Sequence, residues 1–187
     1  NWRTGDVEYK DLNGDKKINN GKNTITDHGD LKVIGNSTPR YQYGLNLTAS
    51  YKNIDLGVFI QGVAKRDLWL TGNIFWGFNQ WNQSSLFSNA DHLNYYRDLE
   101  ATTYSGLGIN TDAYFPRPYS NATQYAKNQQ VQTRYLQNGA YAWLKNVQIG
   151  YTLPQSALNW VHLKRARLYF SGENIYTITS LPVGFDP

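Results

Sequence analysis

The residues from Tyr41 to Lys52 alternate strictly between apolar or aromatic and small or polar side chains. Because successive side chains of a β-strand point to opposite faces, one face here carries only Tyr, Leu and Ala, while the other carries Gln, Gly, Asn, Thr, Ser and Lys. Tyrosines also stand at both ends of the apolar row. This pattern is typical of a membrane-spanning barrel strand, whose outer face meets lipid between two aromatic belts. A strand of a soluble β-sandwich has the same pattern, so this segment alone leaves both folds open.

The composition favours the membrane fold. Aromatic residues make up 15% of the 187 residues and charged residues only 17%, whereas an ordinary soluble domain is roughly 25% charged. Aromatic belts and polar loops both raise the content of Tyr, Trp, Asn and Gln. The sequence has no apolar run of about 18 residues, the minimum for a membrane-spanning helix, so a β-barrel is the only structure with which it can cross a bilayer.

Other features exclude several classes of protein. The chain has no cysteine, which rules out a disulfide scaffold and a thiolate metal site. Its net charge of +4 comes from scattered basic residues, without the stripe that nucleic-acid binding needs. The three histidines lie far apart in sequence, and no Gly-x-Ser-x-Gly motif or phosphate-binding loop is present. The sequence therefore predicts neither nucleic-acid binding nor an enzyme.

The sequence predicts two β-hairpins separated by long loops. The hairpins span 41–64 and 134–173, and the loops span 1–40, 65–133 and 174–187. In the first hairpin Phe59 and Val63 point inward, where a lumen filled by a folded plug accepts them. One face of the second hairpin is predicted to hold Tyr141, Trp143, Lys145, Val147, Ile149, Tyr151 and Leu153. Alternating short turns and long loops are typical of outer-membrane barrels, whose long loops are extracellular.

Neither terminus looks like the end of a protein, which indicates an internal piece of a longer polypeptide. Five stretches of the sequence carry a resemblance to a known family. The stretches are DVEYKDLNGDKKI (6–18), GDLKVIGNSTPRYQYGLNLTASYKNIDLGVFIQGVAKRD (29–67), DAYFPRP (112–118), RYLQNGAYAWLKNVQIGYTLP (134–154) and LYFSGENIYTIT with GFDP (168–179 and 184–187). Together they resemble the C-terminal barrel region of SusC/RagA-type TonB-dependent transporters of Bacteroidetes. The run IGNSTPRYQYG (34–44) and the segment 172–179 are the most specific.

The resemblance implies more than the composition does. It implies an all-β fold, part of a large antiparallel transmembrane β-barrel of 22 strands with long extracellular loops, located in the bacterial outer membrane and closed by an N-terminal plug. It also implies import of oligosaccharides or peptides, powered by TonB, and pairing with a SusD-like surface lipoprotein that acts as a lid. The plug, the TonB-binding segment and the final barrel strands lie outside this sequence.

The motif DLNGDKKIN, residues 11–19, is similar to the start of an EF-hand calcium loop. Its candidate ligands are Asp11, Asn13, Asp15, the Lys17 carbonyl and Asn19. Two departures weaken the match, since position six is Lys16 rather than Gly and position twelve is Lys22 rather than Glu. Asp27 or Asp30 can supply the missing carboxylate by folding back. An Asp/Asn/Gly turn whose side chains cap their own backbone also explains the motif and is the favoured interpretation, while a structural calcium ion is the alternative.

The loop 65–133 carries the candidate cargo-binding residues. These are Trp69, Trp76, Trp81, Tyr95, Tyr96, Arg97 and Arg117. Aromatic faces stack on the C–H faces of sugars, and Arg donates hydrogen bonds to hydroxyls, so the set suits a glycan and, almost as well, a peptide. Alternatively, most of these rings pack the loop onto the barrel rim or the lipoprotein. The segment Tyr114–Pro118 is predicted to be a rigid loop brace rather than a site.

Two further functions compete with the transporter. The runner-up is a soluble, calcium-stabilised, carbohydrate-binding β-sandwich. The third is a secreted glycosidase domain that uses Asp98 and Glu100 as its acid pair, although neighbouring acids on a loop are usually no more than a solvated surface.

Overall fold

The structure is a computed structural model and describes residues 2–77, 90–119, 122–160 and 162–187. Its elements in chain order are β1 (Arg40–Tyr51), β2 (Ile54–Lys65), β3 (Asp67–Trp69), α1 (Asn73–Trp76), a 3-10 helix (Ala90–Leu93), α2 (Leu99–Ser105), α3 (Ala122–Asn128), β4 (Leu136–Asn138), β5 (Tyr141–Thr152), α4 (Gln155–Trp160) and β6 (Arg167–Thr179). The chain divides into two compact units. The loop unit contains Asn1–Gly35 and Trp69–Leu136, and the sheet unit contains Asn36–Leu68 and Gln137–Pro187.

The sheet unit is built on four long antiparallel strands in the order β1-β2-β5-β6. Three of them have 12 residues and β6 has 13, and a tilted strand needs only about 9–11 residues to cross the hydrocarbon. The two-residue turn at Lys52 and Asn53 joins the first pair. Strand β6 runs to Thr179, beyond Glu173, where the sequence predicts it to end.

The pairing register builds one apolar face across all four strands. Leu47 pairs with Val58 and Val58 with Val147, while Leu56 pairs with Ile149 and Ile149 with Phe170. Directly paired residues of neighbouring strands lie on the same side of the sheet, so these side chains share one surface, the apolar face. They are not buried in this unit, since Leu47 is 50% exposed and Phe170 77% exposed.

A β-bulge at Lys145 changes the face assignment that the sequence predicts for β5. Phe59 pairs with Asn146 but the next residue, Ile60, pairs with Leu144, so Lys145 is an extra residue in β5. A bulge of this kind interrupts the alternation of a strand. Val147, Ile149 and Tyr151 therefore stay on the apolar face as predicted, whereas Tyr141 and Trp143 move to the opposite face and Leu144 replaces them. The prediction assumed unbroken alternation and was wrong for these residues.

The opposite, inner face is mostly polar. It carries Gln42, Asn46, Thr48, Gln61, Gln148 and Ser171 together with the large residues Phe59, Val63, Tyr141 and Trp143. Near the two-residue turn, Arg167 of β6 reaches over Gly150 of β5 and forms a bidentate ion pair with Asp55 of β2. A Cβ atom at Gly150 would lie 2.4 Å from the Arg167 guanidinium and 2.6 Å from the Asp55 carboxylate. Glycine is therefore required for this brace across three strands.

The loop unit has a core of its own, made of aromatic rings. The ring of Phe115 is stacked with that of Tyr135 at a centroid distance of 6.2 Å, and Phe75 and Trp76 contact both with tilted or edge-on geometry. Tyr135 is only 1% exposed. We call these four residues the aromatic cluster. Short helices replace part of the irregular loop that the sequence predicts over 65–133. No helix in the described ranges is long and apolar enough to cross a membrane.

Candidate functional site

The loop unit contains an open cavity of about 1140 Å³. Its wall combines the N-terminal segment (residues 2–10), the Asp11 loop (residues 11–19) and the chain on either side of α3. The rings and charged groups that line it are those of Trp2, Asp6, Glu8, Tyr9, Lys10, Asp30, Lys32, Tyr96, Phe115, Lys127, Arg134 and Tyr135. The cavity is slightly larger than the roughly 300–1,000 Å³ of typical small-ligand pockets, and its lining combines aromatic rings with more charged groups than such pockets usually have.

Asn128, at the end of α3, fastens the N-terminal segment to the rest of the loop unit. Its Oδ1 accepts a hydrogen bond of 3.0 Å from the Val7 backbone N–H, and its Nδ2 donates one of 3.0 Å to Asp6 Oδ1. Its backbone carbonyl accepts a hydrogen bond from Gln132 Nε2 at 2.9 Å. Asn128 is 2% exposed, and a buried amide that loses its partners costs about 1–3 kcal/mol. It thus ties the segment around Asp6 to the chain that follows α3, and both of these line the cavity.

An ion pair next to Asn128 reinforces the same junction. Lys127 Nζ lies 2.6 Å from Asp6 Oδ2, and the Asp6 side chain is almost completely buried. Burial opposes ionisation of Asp6, but hydrogen bonds from Lys127 and Asn128 outweigh it and hold the pKa of the Asp6 carboxyl below its usual range. Tyr9 adds a hydrogen bond of 2.6 Å from its hydroxyl to the Lys127 carbonyl, and burial raises the pKa of Tyr9 to about 12. At neutral pH the Asp6 carboxyl is therefore ionised and the Tyr9 hydroxyl keeps its proton.

Arg117 fixes a second edge of the N-terminal segment. Its Nε donates to the Thr4 carbonyl at 3.1 Å, its backbone N–H donates to the Gly5 carbonyl at 2.8 Å, and its guanidinium pairs with Asp98. Gly5 has φ +91°, and a Cβ there would lie 2.2 Å from the Tyr96 ring. The segment can lie this close to Tyr96 only because residue 5 is glycine. These contacts agree with the rigid brace predicted around Arg117.

Asp98 has two structural partners. It caps α2 by accepting a hydrogen bond from the Ala101 backbone N–H at 3.1 Å, and it pairs with Arg117. The hydrogen bond from Ala101 and the one from Arg117 lower the pKa of Asp98. A glycosidase acid needs a raised pKa instead. The geometry therefore does not favour Asp98 as the catalytic acid of the third interpretation.

The structure places the predicted cargo-binding residues in different environments. Trp76 belongs to the aromatic cluster and Trp69 contacts it at 5.9 Å between ring centroids. Arg97 is buried and donates hydrogen bonds to the carbonyls of Leu93 and Gly108. Among the predicted residues that the structure describes, only Tyr96 lines the cavity.

The rest of the predicted set stays a prediction. Tyr95 stacks on the Arg97 guanidinium, whose carbon lies 4.7 Å from the ring centroid, and Arg117 stacks on Tyr96 in the same way at 5.3 Å. Trp81 lies outside the described residues. Asp6, Lys127 and Asn128 are residues that the sequence reasoning missed. Their partners lie more than 110 positions apart in the chain, so no local pattern marks them.

The Asp11 loop adopts the capped-turn arrangement. The two carboxylate oxygens of Asp11 accept hydrogen bonds from the backbone N–H groups of Gly14 and Lys16, at 2.7 and 2.8 Å. Asp15 Oδ1 and Asn13 Oδ1 accept from backbone N–H groups two residues further along the chain. Lys16 has φ +64°, the left-handed conformation that glycine has at this position of a calcium loop.

Asp30 folds back onto this loop, as one of the predicted alternatives requires. Its carboxylate accepts hydrogen bonds from the backbone N–H groups of Leu12 at 2.7 Å and Asn19 at 2.8 Å, and these bonds lower the pKa of Asp30. No group of three or more His, Cys, Asp or Glu side chains within the described ranges is arranged to hold a metal ion. Calcium at Asp11, Asn13, Asp15, Lys17 and Asn19 stays a prediction.

Comparison with known proteins gives homologues over nearly the whole chain. No family model matches the sequence. TonB-dependent receptor P3 of Formosa agariphila is 31% identical over 179 residues, which cover 96% of this chain and 15% of the receptor. TonB-dependent receptor P26 of the same organism is 25% identical over 171 residues, which cover 91% of this chain and 15% of that receptor. The chain thus spans only about 15% of the length of these curated relatives.

A solved structure matches the fold. The structure of the RagAB peptide transporter aligns with 74% of this chain and 13% of the transporter chain, with a TM-score of 0.52 and 22% sequence identity. At this identity the match concerns the fold alone. It agrees with the antiparallel sheet and its apolar face, which are the features that a segment of a large barrel wall requires.

Proposed function

We propose that this chain, a homologue of SusC/RagA-type TonB-dependent receptors over nearly its whole length, forms part of the wall and of the outward loops of an importer. The relatives and the matching fold confirm the predicted family resemblance, the all-β barrel class and the outer-membrane location. The apolar face of the sheet unit is the observation that carries the proposal. A soluble β-sandwich buries such a face against a second sheet, whereas here Leu47 and Ile149 are each 50% exposed and Phe170 is 77% exposed.

The strand edges support the same function. Strands β1 and β6 are the outer strands of the four-stranded sheet, and within the described residues neither has a strand partner on its outer edge. Free edges of long strands are prone to aggregation, and a closed barrel removes them. We therefore infer that neighbouring strands of the complete receptor pair with both edges.

The proposed cargo is an oligosaccharide or a peptide, taken from the outside through the cavity of the loop unit. The rings of Trp2, Tyr9 and Tyr96 line this cavity, where they can contact sugar rings or apolar side chains, while Asp6 and Lys127 already satisfy each other. RagAB is a peptide transporter, which favours peptides for this chain on fold likeness alone.

The proposed partners are a SusD-like surface lipoprotein at the loops and TonB at the remainder of the receptor. The loop unit presents the surface that such a lipoprotein would cover. No catalytic role is proposed, since the relatives are named as receptors and the matching structure as a transporter, and since Asp98 serves as a helix cap and an ion-pair partner.

The test compares two neighbouring positions of β1 in the full-length receptor. Leu47→Arg places a charge on the apolar face near mid-membrane, at a cost of about 2–4 kcal/mol, whereas Thr48→Arg places the same charge on the inner face. We expect Leu47→Arg to remove the heat-modifiable barrel from outer-membrane fractions and Thr48→Arg to leave it in place. Equal recovery of the two variants would refute the barrel-wall assignment.

Cargo is tested separately with Tyr96→Ala in the assembled receptor. The variant should lower the binding of a peptide mixture or of an oligosaccharide mixture, measured by mass spectrometry of the eluted ligand, while barrel recovery stays unchanged. Tyr169→Ala is the matched control, because Tyr169 is an exposed tyrosine of β6 in the sheet unit. If the Tyr96→Ala variant binds both mixtures as well as the wild type does, the proposal that cargo passes through this cavity is wrong.

A further inference from the structure

The connection between β5 and β6 ends in an exposed apolar and basic surface. It begins with Pro154, continues as α4 and ends at Ala166, whose carbonyl accepts a hydrogen bond of 3.0 Å from the Leu153 backbone N–H. Leu158 anchors it, being 2% exposed, whereas the indole of Trp160 is 88% exposed. Leu163 is also exposed. Packing within the sheet unit does not account for the exposure of these two apolar side chains.

The basic residues of this surface have no ion-pair partner within the described residues. Lys164 and Arg165 are exposed in the connection, and Lys52 is exposed in the two-residue turn at the same end of the sheet. The stretch from 153 to 166 contains no Asp or Glu. The nearby carboxylate of Asp55 is already paired with Arg167. The three free cations therefore carry a net positive charge that nothing in this part of the sheet unit neutralises.

The apolar face of the sheet has an exposed row of residues at the same end as this surface. Tyr51, Ile54, Tyr151 and Leu168 pair across the four strands in the row nearest the short turns, and all four are exposed. Such a row, rich in tyrosine, marks the level where the hydrocarbon ends and the headgroups begin. Lys52 Nζ lies 5.3 Å from the centroid of the Tyr51 ring, so at least one of the cations stands directly at this level.

We infer that Lys52, Trp160, Lys164 and Arg165 form a docking surface for anionic phospholipid headgroups, in the leaflet that the short turns meet. This inference rests on the proposed barrel function, because only an embedded barrel wall brings these residues to a leaflet. An indole prefers the interface between hydrocarbon and water, and cations near the membrane surface attract anionic lipids. The absence of acidic residues from the connection means that no internal carboxylate competes with the lipid phosphates.

The full-length receptor tests the inference when it is purified in detergent and titrated with dioleoyl-phosphatidylglycerol or dioleoyl-phosphatidylcholine. Retained lipids are counted by native mass spectrometry. We expect the wild type to retain the phosphatidylglycerol in preference. In the double variant K164Q/R165Q, affinity for this lipid should fall roughly fivefold for each cation removed. The control K16Q/K17Q removes two cations from the Asp11 loop and should leave lipid retention unchanged.

Two outcomes overturn the inference: equal retention of both lipids by the wild type, or an undiminished preference in K164Q/R165Q. If that variant fails to fold, a salt titration of the wild type decides, since binding of phosphatidylglycerol must weaken with ionic strength while binding of phosphatidylcholine must not. A receptor that assembles as a heat-modifiable barrel but shows no lipid preference refutes only this inference. A receptor in which Leu47→Arg and Thr48→Arg behave alike refutes the proposed function instead.

Discussion

The sheet unit and the loop unit place their large apolar side chains in opposite ways. In the sheet unit Leu47, Ile149 and Phe170 face outward and stay exposed, while the polar side chains lie on the inner face. In the loop unit Phe75 and Tyr135 are buried together, and polar groups such as Asn128 are buried with hydrogen-bond partners. The first arrangement is stable next to lipid and the second next to water. The chain thus combines a sheet unit suited to lipid with a loop unit suited to water.

The largest effect is expected from a substitution in the buried aromatic cluster of the loop unit. Tyr135→Ala removes the ring that contacts Phe75, Trp76 and Phe115, and truncation of a buried aromatic ring costs about 3–5 kcal/mol. We expect hydrogen exchange to lose protection over 90–119 and 122–135 in the full-length receptor while strands β1, β2, β5 and β6 keep theirs. Tyr114→Ala is the control, because Tyr114 is partly exposed, and it should have a smaller effect. Loss of protection in the strands as well would show that the two units do not fold separately.

The next largest effect is expected from a charge placed on the apolar face of the sheet unit beside the β-bulge. Leu144→Arg puts a charge on the apolar face at a cost of about 2–4 kcal/mol, whereas Trp143→Arg puts it on the inner face because Lys145 is the extra residue of the bulge. Recovery of heat-modifiable barrel from the outer membrane should fall for Leu144→Arg and change much less for Trp143→Arg. The reverse order would mean that β5 alternates without interruption.

A smaller effect is expected at the buried amide of the loop unit. Asn128→Ala leaves the Val7 N–H without its acceptor and removes one of the donors to Asp6, at a cost of about 1–3 kcal/mol. Proteolysis of the N-terminal segment in the assembled receptor should become faster. Asn20→Ala, an exposed position of the same unit, should cost less than about 0.5 kcal/mol and leave the cleavage rate as it is. Equal cleavage rates for the two variants would show that Asn128 does not hold the N-terminal segment in place.

The smallest effect depends on pH and concerns the ion pair between Asp6 and Lys127. The folded pKa of Asp6 is lowered, so its stabilising contribution is fully present above the unfolded pKa of about 3.9 and is lost as the pH falls through the folded pKa. Protection of the N-terminal segment should therefore decrease on acidification below about pH 4. In Asp6→Asn this part of the pH dependence should disappear. An identical acid response of the variant would assign the effect to other carboxylates.

The sheet unit could be predicted from the sequence to a large extent, because strand alternation is a local signal that a lipid-facing wall repeats on every strand. Residues Tyr41 to Lys52 carry this signal without a break. The bulge at Lys145 could not be predicted, since WLKNV reads as regular alternation and only pairing with Phe59 and Ile60 reveals the extra residue.

Much less of the loop unit could be predicted. Its aromatic residues were recognisable as a group, but the sequence does not distinguish a ring that packs, such as Trp76, from one that lines the cavity, such as Tyr96. The contacts of Asn128 join segments more than 110 positions apart. Hydrogen bonds between distant segments follow from the path of the whole chain rather than from any local pattern.

The brace between Asp55 and Arg167 has a consequence for how such receptors diversify. It spans three strands beside the short turns and depends on Gly150 having no side chain. Strands that are pinned at one end cannot slide past one another when their other ends change, and a slip of one residue would exchange the two faces of a strand. Insertions and deletions in the long loops can then accumulate without shifting the register of the strands, so the loops are free to vary while the wall that carries them stays the same.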